Sequence, residues 1–126
     1  MTTINALLVD DEEEFVTTLC ERLALRGIKA RVATDGEQAL REVEADPPDV
    51  MVLDVMMPGL KGTEVLRRVK AQHPRVQVIL LTGHGSAKDG IEGMKLGAFD
   101  YLMKPLKIED LLAKLTEAGQ LAQSLP

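Results

Sequence analysis

The chain has 126 residues, with 20 acidic against 15 basic side chains and a formal net charge of −5. That length suits one compact domain and excludes two independent cores, and the negative balance makes a polyanion such as nucleic acid a poor partner. No window nears the roughly 20 consecutive apolar residues that span a bilayer, and Met1 to Asn5 lacks the basic start of a secretory signal, so a cytoplasmic protein without membrane contact is expected.

The first apolar run, Ile4 to Val9, has the length of a strand and ends in Asp10 and Asp11. On its own the stretch Asp10 to Glu14 reads as an acidic first turn that caps a helix and complements its dipole. Phe15, Leu19 and Leu23 mark that helix. The single cysteine, Cys20, sits among Val16, Leu19 and Leu23, where a buried thiol without a chemical role is the simplest reading. A second strand is expected over Ile28 to Ala33, followed by a helix through Leu40 and Val43. The third strand, Val50 to Leu53, runs straight into Asp54, and Val65, Leu66 and Val69 mark the next helix. His73 places a favourable charge near the end of that helix.

The fourth strand, Val76 to Leu81, leads to Thr82 and to His84, read as an ordinary loop residue. Ser86 is a candidate cap for a fourth helix. Gly90 and Gly93 lie inside it, each about 1 kcal/mol less favourable than alanine. A loose, easily re-seated helix is therefore expected, the alternative being that the glycines permit close packing. Ala98 to Leu102 forms the last strand and carries Tyr101, an amphipathic edge residue. After Lys104 and Pro105, the stripe Ile108, Leu111, Leu112, Leu115 follows the i, i+3, i+4, i+7 spacing of one helical face.

Five strand–helix units of this kind predict an α/β fold with a parallel sheet wrapped by helices. Strands one, three and four are consecutively apolar, as strands covered on both faces are. Strand two alternates with Lys29 and Arg31, and strand five carries Asp100, which suits sheet edges. The order 2-1-3-4-5 satisfies both, giving the flavodoxin-like (βα)5 doubly wound sheet, whose ligand site lies beyond the carboxyl ends of strands one and three.

That order brings Asp10, Asp11 and Asp54 together. Asp54 follows four apolar residues, so its charge needs a cation or hydrogen-bond donors. Magnesium prefers oxygen ligands and binds through a few carboxylates together with phosphate, which fits three aspartates. No cysteine and histidine cluster offers a zinc site. Thr82 and Lys104 end the remaining two strands, a hydroxyl donor and an ammonium suited to phosphate oxygens.

Asp10-Asp11, Asp54-Val-Met-Met-Pro58 with Gly62, Leu81-Thr82-Gly83 and Lys104-Pro105 together resemble the receiver domain of bacterial response regulators, from Ile4 to about Leu121. The resemblance implies one receiver domain over residues 1–126, standing alone or forming part of a longer regulator or hybrid kinase. It implies that Asp54 accepts a phosphoryl group from a histidine kinase or histidine phosphotransfer protein in two-component or phosphorelay signalling. Asp11, Asp54 and the backbone carbonyl of Met56 would bind Mg2+, or Mn2+ in its place, with Asp10 assisting through a water. Lys104 would neutralise the phosphoryl oxygens, Thr82 would hydrogen-bond one of them, Tyr101 would be the switching aromatic, and Pro105 would follow a cis peptide bond. The face of helix four, strand five and helix five would then control an output domain or effector protein, or pair two copies of the chain. Met56 offers no polar group to orient water, which suggests slow self-dephosphorylation. On this reading the protein is a phosphoacceptor that assists its own modification, not an enzyme.

Two rival readings differ in class. A magnesium-dependent phosphatase of the haloacid dehalogenase type also uses an aspartate nucleophile, but resembles its relatives in a second aspartate two residues on, where this chain has Met56. A receiver-like interaction module that is never phosphorylated would be expected to have lost some of the site residues that are intact here.

Overall fold

Elements alternate strictly along the chain because each short apolar run is released into a helix and recovered by a tight turn. The computed structural model describes residues 2–83 and 87–126. Its elements are β1 (Asn5–Val9), α1 (Glu13–Ala24), β2 (Lys29–Ala33), α2 (Gly36–Ala45), β3 (Val50–Asp54), α3 (Gly62–Gln72), β4 (Gln77–Thr82), α4 (Ala87–Lys95), β5 (Asp100–Met103) and α5 (Ile108–Ser124). The five strands pair in parallel in the order β2-β1-β3-β4-β5, the flavodoxin-like arrangement expected from the strand patterns.

The period of two along each strand divides the core into two layers. Ala6, Leu8, Val50, Val52, Ile79 and Leu81 face Val16, Leu19 and Leu23 of α1 and Leu111 and Leu115 of α5. The intervening residues, Leu7, Val9, Met51, Leu53, Val78 and Leu80, face Ala39 and Val43 of α2 and Val65, Leu66 and Val69 of α3. Leu115 is fully buried, and its truncation to alanine would cost about 2–5 kcal/mol. β1, β3 and β4 are covered on both sides, which is why their sequences are continuously apolar.

Several strand limits differ from the expected ones by a residue or two, for definite reasons. Ile28 and Ala98 close helices instead of opening strands: the Ile28 N–H donates to Leu23 and that of Ala98 to Gly93, across Gly27 and Gly97 at φ +83° and +102°. Such left-handed helix ends favour glycine. Val76 donates to His73 in a turn. At the other end β3 and β4 extend one residue further, through Asp54 and Thr82, because Asp54 pairs with Leu81 and Thr82 with Met103.

α4 is short, and its two interior glycines are buried against the sheet. A Cβ on Gly90 would stand 2.9 Å from the Tyr101 ring, and one on Gly93 would overlap the Leu80 side chain. Close packing is thus a physical reason for both glycines, alongside their low helix propensity. Ser86 and His84 lie outside the described residues. Cys20 is half-buried, less enclosed than expected; its thiol donates to the Ala30 carbonyl at 3.3 Å, and burial pushes its pKa up.

Candidate functional site

Parallel register sets the site. Val9 is paired with Leu53, so the next residues on each strand, Asp10 and Asp54, stand side by side at the carboxyl edge of the sheet. Three backbone bonds prolong the ladders past the strand ends and fix the loops that carry the chemistry: Asp10 N–H to the Ala33 carbonyl (3.1 Å), Val55 to Leu81 (3.1 Å) and Lys104 to Thr82 (2.9 Å). Gly62, at the start of α3, lets that helix sit on the Asp54 loop, since a Cβ there would come within 2.8 Å of the Val55 Cα.

Asp10 and Asp54 are 1% and 4% exposed, whereas Asp11 faces solvent. One carboxylate oxygen from each of the three lies within 4.8 Å of the others. Two such charges in a dry setting repel one another and lose hydration, so the fold supplies donors. Asp10 Oδ1 accepts from the Glu12 N–H at 2.9 Å, and Asp54 Oδ1 accepts from the Met56 N–H at 2.9 Å. The Lys104 ammonium reaches Asp10 Oδ2 at 2.8 Å, Glu12 Oε1 at 3.1 Å and Asp54 Oδ2 at 3.6 Å. It also lies 4.8 Å from the centre of the Phe15 ring.

This compensation is incomplete at Asp54. Burial pushes its carboxyl above the ordinary range; the Met56 hydrogen bond opposes that, the charge of Asp10 adds to it, and Lys104 opposes it again without cancelling it. Burial would depress the Lys104 ammonium, but hydrogen bonds to Asp10 and Glu12 and the charge of Asp54 raise it above an ordinary lysine, so it stays protonated. The Asp54 carboxylate therefore has more to gain from a further positive charge than a solvated one would. Three clustered carboxylates are also the hard oxygen donors that a divalent ion such as magnesium takes, so the residues present fit that ion.

The other expected residues surround this centre. Thr82 is fully buried, and its hydroxyl donates to the Leu102 carbonyl at 3.5 Å, the outer limit of a hydrogen bond. Met56 projects into solvent beside Asp54, 63% exposed. Tyr101 is half-buried on β5 with its ring against Gly90 of α4. The Lys104–Pro105 peptide bond is cis. His73 lies apart, ending α3 3.1 Å from Glu44. Two contributors were not singled out by the sequence, Glu12 and the Phe15 ring. Glu12 read as part of an acidic first turn and Phe15 as a core residue, and only the approach of Lys104 from far along the chain gives them another role.

A family model for the response regulator receiver domain matches residues 6–116. The response regulator MprA of Mycolicibacterium vanbaalenii is 38% identical over 112 residues, covering 89% of this chain and 48% of that protein. The alkaline phosphatase synthesis transcriptional regulatory protein PhoP of Bacillus subtilis is 39% identical over 109 residues, 86% of this chain and 45% of its own length. The chain thus spans about half the length of the curated relatives it matches. A receiver domain protein from Clostridium thermocellum superposes with a TM-score of 0.90 at 33% identity, over 95% of this chain and 97% of that one. The receiver domain of NtrX from Brucella abortus does so at 0.86 and 30% identity, over 91% and 98%.

Proposed function

This chain belongs to the response regulator receiver domain family of two-component signalling, and on that premise we propose that it is a phosphorylation-dependent switch whose acceptor is Asp54. The observation that carries the reading is the setting of Asp54: a nearly buried carboxylate at a strand end, incompletely compensated, within 4.8 Å of two more carboxylates and 3.6 Å from an ammonium.

The donor is a phosphohistidine of a histidine kinase or phosphotransfer protein. A carboxylate oxygen of Asp54 bonds to phosphorus as the phosphorus–nitrogen bond breaks, and the bonding pair stays with the imidazole. Lys104, already held at the site, accompanies the charge that spreads over the transferred oxygens. Asp11, Asp54 and the Met56 carbonyl would hold Mg2+, or Mn2+ in its place, with Asp10 assisting. When bound, the ion supplies additional neutralisation of the phosphoryl oxygens.

The acyl phosphate brings new acceptor oxygens next to Thr82, whose present hydrogen bond is long enough to be given up easily. Its movement vacates space that Tyr101 can occupy, and α4, seated against the Tyr101 ring at Gly90, shifts with it. Ile91 and Met94 on α4, Met103 on β5 and Leu121 on α5 are exposed apolar residues, which suits a face that meets an output domain, an effector protein or a second copy of the chain. Among the described residues no helix is long and apolar enough to cross a membrane.

Incubation with Mg2+ and acetyl phosphate tests the reading by intact mass. One phosphoryl group is expected on the parent chain and none on Asp54→Asn; equal gain on both overturns it. The modified chain should lose its phosphoryl group slowly, because Met56 has no polar atom to orient water, and loss on the scale of seconds contradicts that part.

A further inference from the structure

We propose that Glu12 is a positioning residue that holds Lys104 back from Asp54 and competes with the phosphoryl group for its ammonium. The inference rests on the phosphoacceptor role given to Asp54 above. An ammonium has three N–H donors. In the structure two of them are committed, to Asp10 at 2.8 Å and to Glu12 at 3.1 Å, and Asp54 at 3.6 Å lies beyond hydrogen-bond range.

Glu12 is placed for this task. It occupies the N-cap position of α1 with φ −79° and ψ 87°, yet its side chain makes no capping hydrogen bond. The turn is closed instead by Asp10, whose Oδ1 accepts the Glu12 N–H. The Glu12 carboxylate is thereby left to meet Lys104 from the α1 side, and the Phe15 ring, 4.8 Å from the ammonium, adds attraction on that same side. Asp54 lies on the β3 side. One donor is uncommitted, but drawing the ammonium from 3.6 Å into close contact with a phosphoryl group on Asp54 works against the pull of Glu12 and Phe15 from α1. Glu12 is outside the group of Asp10, Asp11 and Asp54 that could hold a cation, so its effect acts through the lysine.

The Glu12 side chain is 66% exposed, so the contact is worth little in stability. Neutralising it should accelerate modification of Asp54 by acetyl phosphate at saturating Mg2+ about two- to fivefold, the range an exposed ion pair can shift. Glu12→Gln would be compared with the parent chain, with Asp54→Asn and with Glu13→Gln, which removes the same charge from an exposed neighbour in the first turn of α1. The expected result is a two- to fivefold gain for Glu12→Gln, a smaller change for Glu13→Gln, and unaltered melting temperatures for both. A rate for Glu12→Gln equal to or below the parent, or an equal gain for Glu13→Gln, overturns the proposal. A parent chain modified no more than Asp54→Asn overturns the phosphoacceptor reading as well, which separates the two failures.

Discussion

The two rims of the sheet are built from the same strands and answer opposite needs. At the amino ends, polar groups are closed by hydrogen-bond partners within the chain. Arg75 donates through Nε and Nη2 to the Ala122 carbonyl, both at 3.1 Å, and so caps α5 with a cation. Gln123 donates to Thr2, Thr3 and Asp49, Lys70 to the carbonyls of Pro74 and Val76, and buried Gln77 to Arg75. At the carboxyl ends, Asp10, Glu12 and Asp54 share the ammonium of Lys104, and Asp54 is left undercompensated. A fold can hold such a deficit only where the rest of the structure is secure. The closed rim supports the frame, and the open rim is where a new charge has the most to alter.

The largest expected effect comes from closing the deficit by substitution. Asp54→Asn should abolish phosphoryl uptake in an acetyl phosphate assay and raise the melting temperature at pH 7 by a few degrees. The sign follows from its raised pKa: the ionised form opposes folding, so wild-type stability from this group is present at low pH and is lost as pH rises through the folded pKa. The gain should accordingly shrink as pH falls toward 3.8, the ordinary aspartate value. Widening the deficit is the next largest change. Lys104→Met leaves Asp10 and Asp54 without their ammonium and should slow modification on the order of 10²-fold, with a lower melting temperature at pH 7.

A change on the closed rim should behave in the opposite way. Arg75→Leu frees the Ala122 carbonyl and should lower stability by about 1 kcal/mol in urea unfolding while the rate of Asp54 modification stays at the parent value. A changed modification rate would break the contrast between the rims. The smallest effect belongs to the surface of α3, where hydrogen bonds from Arg67 and Arg68 lower Glu64 from 4.5 to about 2. That contribution is present above pH 4.5 and lost as pH falls toward 2. Glu64→Gln should therefore melt slightly below the parent at pH 7 and together with it near pH 2.

Much of the open rim was legible from the chain. The unbroken apolar runs of strands one, three and four gave their central places, and parallel order then required Asp10, Asp54, Thr82 and Lys104 to share one edge. Less legible were features that depend on which distant side chain arrives. Gly90 and Gly93 suggested a loose helix from propensity alone, but the Tyr101 ring and Leu80 beneath them add a packing reason that no local window contains. Phe15 fits the apolar stripe of α1 and is still beside the Lys104 ammonium, 4.8 Å from its ring centre. Ile28 and Ala98 resembled strand starts because they are apolar, and the glycine turns before them commit their N–H groups to the preceding helix.

The most direct test of Asp54 as acceptor is borohydride reduction of the phosphorylated chain followed by peptide mapping, because an acyl phosphate on aspartate is reduced to homoserine. The account predicts homoserine at position 54 alone. Homoserine at position 10 or 11, or none in a chain shown by mass to carry the phosphoryl group, would contradict it.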